Sequence, residues 1–101
     1  MPEFVSVAKI EDIAPGQGRT VSVGTKKAAV FNIDGTFYAI DDTCLHRGGP
    51  LGEGVLEGHF VTCPWHGWKY DIRTGEMTMN PSARIGCYPA RTEAGEIQVS
   101  C

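Results

Sequence analysis

Two short motifs, Cys44-Leu45-His46 and Cys63-Pro64-Trp65-His66, stand sixteen residues apart and restrict the fold of this chain more than anything else in it. Each offers one soft thiolate and one imidazole to a common metal site. Two positions apart on a helix, the side chains of Cys44 and His46 diverge; in an extended loop, alternate side chains point the same way. The chain must therefore bring two loops together.

The rest of the sequence reads as β structure. Thirteen glycines and six prolines punctuate short runs, and no window sustains the i, i+3, i+4, i+7 apolar stripe of a helix. The clearest unit is Ala28-Ala29-Val30-Phe31-Asn32-Ile33, Asp34-Gly35, Thr36-Phe37-Tyr38-Ala39-Ile40. Asp-Gly accepts the positive φ angles of a type I′ turn, so a two-residue hairpin is expected. A second hairpin is expected near the end, with Ile85, Cys87 and Pro89 alternating on one strand, a turn near Glu93-Ala94-Gly95, and Ile97 and Val99 on the return. Residues 4–10 and 20–23 read as strands, and 11–13 as one helical turn halted by Pro15-Gly16. Between the hairpins, residues 43–83 read as loop-rich, and loops on a rigid scaffold carry function.

With 101 residues the chain makes one domain, 1–101. A chain this small hides only roughly 60–65% of its unfolded surface, so a metal staple is a welcome addition. The net charge of −3, with Lys and Arg scattered, argues against nucleic acid and anionic membranes as partners. No run of about twenty apolar residues exists to span a membrane. MPEFVSVAKI lacks the basic start and apolar stretch of a signal peptide, so a cytoplasmic location is expected. In that compartment four cysteines point to metal or redox chemistry rather than to a disulfide framework.

Two cysteines and two histidines suit a structural zinc ion. They also suit two irons, with both thiolates on one and both imidazoles on the other. The compact Cys-x-His half matches zinc-finger spacing poorly. Cys44-Leu45-His46-Arg47-Gly48-Gly49-Pro50 and Cys63-Pro64-Trp65-His66-Gly67-Trp68-Lys69-Tyr70-Asp71 resemble the two cluster loops of the Rieske iron–sulfur family. The flanking hairpins fit that family's scaffold over essentially the whole chain.

The resemblance implies an all-β fold, an antiparallel β-sandwich base with an inserted, loop-rich cluster-binding subdomain at about 43–83. It implies one 2Fe–2S cluster, with Cys44 and Cys63 on the inner iron and His46 and His66 on the outer one. It also implies that Pro81 and its neighbours form a third, covering loop. Tyr70 then stands where its hydroxyl can donate to the sulfur of Cys44, which raises the potential. Gly49 and Trp65 replace two cysteines that form a disulfide in respiratory and photosynthetic members. Trp68 replaces a serine that donates to the cluster. These departures point to the low-potential branch that serves bacterial oxygenases.

The function so implied is one-electron carriage from a flavin- or NADH-dependent reductase to a terminal oxygenase, with catalysis left to those partners. A Rieske-like small subunit of a larger reductase, such as nitrite reductase, is the alternative, and a structural zinc module a further one. Trp65 and Trp68, flanking His66, either shield the cluster or offer apolar surface to a partner. His59 reads as a solvent-facing strand residue, Cys87 as a buried core thiol, and Cys101 as a free terminal one. Asp41 and Asp42 read as a solvated strand end, with a steering charge as the other option.

Overall fold

The computed structural model describes residues 4–23, 25–42, 50–64 and 67–100; the side chain of Pro81 is also outside the description. Its spine is the hairpin of β3 (Lys26–Ile33) and β4 (Thr36–Asp41). Asp34 (φ 50°) and Gly35 (φ 90°) make the expected type I′ turn, with Ile33 opposite Thr36. Asn32 locks it: its Oδ1 accepts from Gly35 N and its Nδ2 donates to the Ile13 carbonyl, both at 2.8 Å.

β2 (Gly18–Val23) pairs with β3, and β10 (Cys87–Tyr88) pairs with the far side of β4, giving a four-stranded sheet in the order β10-β4-β3-β2. A second sheet, in the order β1-β12-β11, joins β1 (Val5–Lys9), β12 (Glu96–Val99) and β11 (Ala90–Glu93). A single 3₁₀ turn, Ile10–Asp12, follows β1 where one helical turn was expected.

The third sheet departs from the sequence reading. Within the stretch expected to be loop-rich lie β5 (Val55–Glu57), β6 (Phe60–Thr62), β7 (Lys69–Asp71), β8 (Glu76–Met77) and β9 (Asn80–Arg84), paired in that order. Four of the five are only two or three residues long, too short for any periodicity to register in the sequence. Pro81 lies in β9, so the segment expected to be a covering loop is a strand.

The sheets stack in three layers with the four-stranded one in the middle. β3 is buried on both faces, and alternation deals its residues to two cores. Ala28 and Val30 join Val21, Phe37, Ala39, Ile97 and Val99 beneath the three-stranded sheet. Ala29 and Phe31 join Ile40, Leu51, Val61, Cys63, Tyr70, Ile72, Met77 and Ile85 beneath the five-stranded one. The late hairpin is also divided: β10 belongs to the middle sheet, and only β11 returns through Ala94-Gly95 into β12. Pro89 marks the switch, having no N–H with which to continue a ladder. Among the described residues no α-helix occurs and no helix is long and apolar enough to cross a membrane.

Candidate metal centre

The described residues that flank the two motifs fix a stem on each side. On the first side β4 ends at Asp41, and the chain returns at a 3₁₀ turn, Leu51–Glu53. The Asp42 carbonyl accepts from Leu51 N at 2.7 Å. Its carboxylate Oδ1 accepts from both Gly52 N and Thr20 Oγ1 at 2.8 Å. On the second side, β6 and β7 pair as far as Thr62 opposite Lys69. Beyond them Cys63 N donates to the Trp68 carbonyl at 2.7 Å and Gly67 N to the Cys63 carbonyl at 3.1 Å, with Gly67 at φ 76°.

Both stems rest on one apolar cluster. Leu51 at the first and Cys63 at the second are 0% and 2% exposed, in the same core as Val61, Tyr70 and Ile72. Tyr70 is fully buried in the middle of β7, opposite Val61 and Met77. Trp68 is half-buried and packs against the cluster. Of the residues singled out in the sequence, the structure thus brings together Cys63, Tyr70 and Trp68. Cys44, His46, Trp65, His66 and Cys101 lie outside the described residues. Cys63 is a soft donor held at the head of a narrow turn; apolar burial by itself disfavours the thiolate, so binding iron there needs the metal's own charge to stabilise it.

Other residues differ from their expected roles. Asp42 is buried to 5% exposure and serves as an internal acceptor, neither a solvated strand end nor a steering charge. Asp41 is half-buried: its Oδ1 accepts from the Tyr88 hydroxyl at 2.5 Å and its Oδ2 from Gly86 N at 3.0 Å, while its own N–H donates to the Gly86 carbonyl. The partners of both carboxylates lie ten or more positions away, so no local signal in the sequence marks them. His59 lies in the turn between β5 and β6, half-buried, its ring 4.5 Å from that of Phe60.

Cys87 is exposed rather than in the core, although its Sγ is turned onto the Arg73 carbonyl at 3.3 Å. That partial burial pushes the thiol pKa up. Cys87 forms no disulfide. At the end of β7 the Arg73 side chain bonds the Asp71 carboxylate through Nε (3.1 Å) and Nη2 (2.9 Å). Those bonds hold the Asp71 pKa below its ordinary value, against the opposing effect of burial.

Three antiparallel layers that pin two loops over a shared apolar core, one with a buried thiol at its stem, define a β scaffold for a loop-held metal cofactor. The sequence matches the Rieske 2Fe-2S domain family over residues 3–89; the chain belongs to that family, and its cofactor is one Rieske-type 2Fe–2S cluster. It is 35% identical over 98 residues to the biphenyl dioxygenase ferredoxin subunit of Pseudomonas sp. (strain KKS102), covering 95% of this chain and 90% of that one. It is similar to a chain of the complex of reduced oxygenase and oxidized ferredoxin in carbazole 1,9a-dioxygenase, with TM-score 0.86, 32% identity, and coverage of 96% and 92%. In fold alone it also resembles a chain described as an NADH-dependent nitrite reductase small subunit from Mycobacterium tuberculosis, with TM-score 0.91, 22% identity, and coverage of 100% and 96%.

Proposed function

We propose that this chain is the ferredoxin of a cytoplasmic, multicomponent dioxygenase-type system. It accepts one electron from a flavin- or NADH-dependent reductase and passes it to a terminal oxygenase. The observation that carries the reading is the near full-length likeness to a ferredoxin subunit. An oxygenase needs, in addition, a mononuclear iron held by two histidines and a carboxylate. With His46 and His66 assigned to the cluster, His59 is the only histidine left.

Cys44, His46, Cys63 and His66 would hold the cluster, within a cluster-binding unit at 43–83 of a single domain, 1–101. When bound, the cluster takes up and gives back one electron, at a potential within the class range of about −150 to +300 mV. The chain's own residues supply rigidity and dryness. The two stems fix the loop spans, and the apolar core around Cys63 keeps water from the thiolate side. Trp65 and Trp68 are assigned to shielding the cluster or to offering apolar surface to a partner, and Tyr70 to a hydrogen bond on the Cys44 sulfur. Tyr70→Phe then lowers the midpoint potential in a redox titration; an unchanged potential removes that role.

The deciding experiment is visible and EPR spectroscopy of anaerobically purified protein, before and after dithionite, followed by mixing the reduced protein with a biphenyl-type terminal oxygenase. The expected result is a red-brown protein whose reduced signal has the low average g of a mixed-ligand cluster and disappears as the oxygenase is reduced. A colourless protein with one zinc per chain would overturn the reading. Stable co-purification with a large reductase subunit would replace the shuttle by the subunit alternative.

A further inference from the structure

The stem of the first loop depends on a buried carboxylate that no part of the electron-transfer reading uses. Asp42 stands directly before residues 43–49, the segment with Cys44 and His46. Its carbonyl oxygen takes Leu51 N–H and its Oδ1 takes Gly52 N–H, so one residue grips two successive amides at the point where the loop returns. Among the described residues the side chain's hydrogen bonds are accepted by Oδ1.

The carboxylate oxygen has a second tie. Thr20 Oγ1, on β2, donates to it at 2.8 Å, which anchors the stem to the middle sheet. The arrangement needs glycine at position 52. An added Cβ there would lie 2.5 Å from both Thr20 N and Thr20 Oγ1 and 2.7 Å from the Arg19 carbonyl carbon. Only without a side chain does the turn approach β2 closely enough for Gly52 N–H and the Thr20 hydroxyl to share one acceptor.

We propose that Asp42 is a positioning residue for the cluster, its carbonyl and carboxylate oxygens together setting the span of the loop that presents Cys44 and His46. The inference rests on the reading of those two residues as ligands. Asp42 touches no cofactor; it acts through the backbone. A buried donor that loses its acceptor is left with its desolvation penalty uncompensated, and here two donors share that acceptor.

The test is the rate at which cluster-loaded protein loses iron to a chelator, together with the EPR line shape of the reduced form. Asp42→Ala is expected to release iron about tenfold faster and to broaden the signal. Asp42→Asn can place its carbonyl oxygen where Oδ1 stands, and is expected to stay within about twofold of the parent with an unchanged signal. Thr20→Val, which removes one of the two side-chain ties, is expected to release iron about threefold faster, and decides the matter if Asp42→Ala does not fold. Val99→Ala, in the other core, controls for general destabilisation: it lowers Tm but leaves the release rate alone. Release from Asp42→Ala no faster than from Val99→Ala overturns the proposal. Asp42→Asn failing like Asp42→Ala overturns it as well, and so does a silent Thr20→Val. Absence of an iron–sulfur signal in the parent protein would instead overturn the ligand assignment on which it rests.

Discussion

The two faces of β3 look onto cores of different construction. Beneath the three-stranded sheet, Ala28 and Val30 meet side chains from strands of four to eight residues, and Phe37 is the one ring among its buried members. Beneath the five-stranded sheet, Ala29, Phe31 and Ile40 meet Val61, Tyr70 and Met77 from strands of two or three residues, and Leu51, Ile72, Ile85 and a thiol, Cys63, from outside any strand. The first core closes with apolar side chains and two-residue hairpin turns. The second is built largely of strands too short to persist as isolated pairs, and it includes Cys63, the proposed ligand. The expected consequence is that one side of the molecule folds on its own sequence, while the other gains part of its order from the cofactor.

The largest expected effect comes from Cys63→Ser, which removes the one proposed thiolate ligand that lies among the described residues. The visible absorbance should vanish, and amide exchange in β5–β9 should speed up more than about tenfold, while Val30 and Phe31 keep their protection. Equal loss on both sides of β3 would break the comparison. Next are two core truncations, Leu51→Ala and Ile97→Ala, both fully buried and each costing about 2–5 kcal/mol. Chemical denaturation with and without cluster separates them. Ile97→Ala should cost the same in both forms, Leu51→Ala chiefly in the loaded one.

Tyr88→Phe sharpens the boundary between the sheets, because the Tyr88 hydroxyl is bonded to Asp41 at the end of β4. Its loss should cost about 1–3 kcal/mol, read as a fall in Tm with little change in the spectrum. Asp71→Asn is the smallest. The bonds from Arg73 hold the Asp71 pKa down in the folded state, so their stabilisation is present above the ordinary carboxylate range and is lost as pH falls through the folded pKa. With the Arg73 side chain 49% exposed, the variant should lose less than about 1 kcal/mol at neutral pH, and the difference should shrink in acid and in high salt.

The sequence disclosed these two regions unevenly. The β3–β4 hairpin was legible because Asp34-Gly35 is a local turn signal between two long apolar runs. The β class and the family followed from glycine punctuation and from two ligand motifs whose spacing is specific. The five-stranded sheet was hidden, since strands of two or three residues lie below the length at which alternation can be read. Asp41 and Asp42 look like surface charges in one dimension; their partners, Tyr88 and Thr20, are 47 and 22 positions away. Cys87 was expected in the core because Ile85 and Cys87 alternate. The strand starts only at Cys87, however, so the two residues share no face of one strand.

Because β3 is a wall common to both cores, sliding it by one residue would be costly twice over. Phe31 would turn toward Ile97 and Val99, and Val30 toward Leu51 and Tyr70, overfilling one side and leaving a void in the other. The Asp34-Gly35 turn is therefore the place where an inserted residue would do the most harm, although it is exposed and at the opposite end of β4 from Asp42. Length changes in this architecture belong in segments that leave the pairing of β3 with β4 untouched, so a corner remote from the chemistry controls whether both halves of the molecule can form.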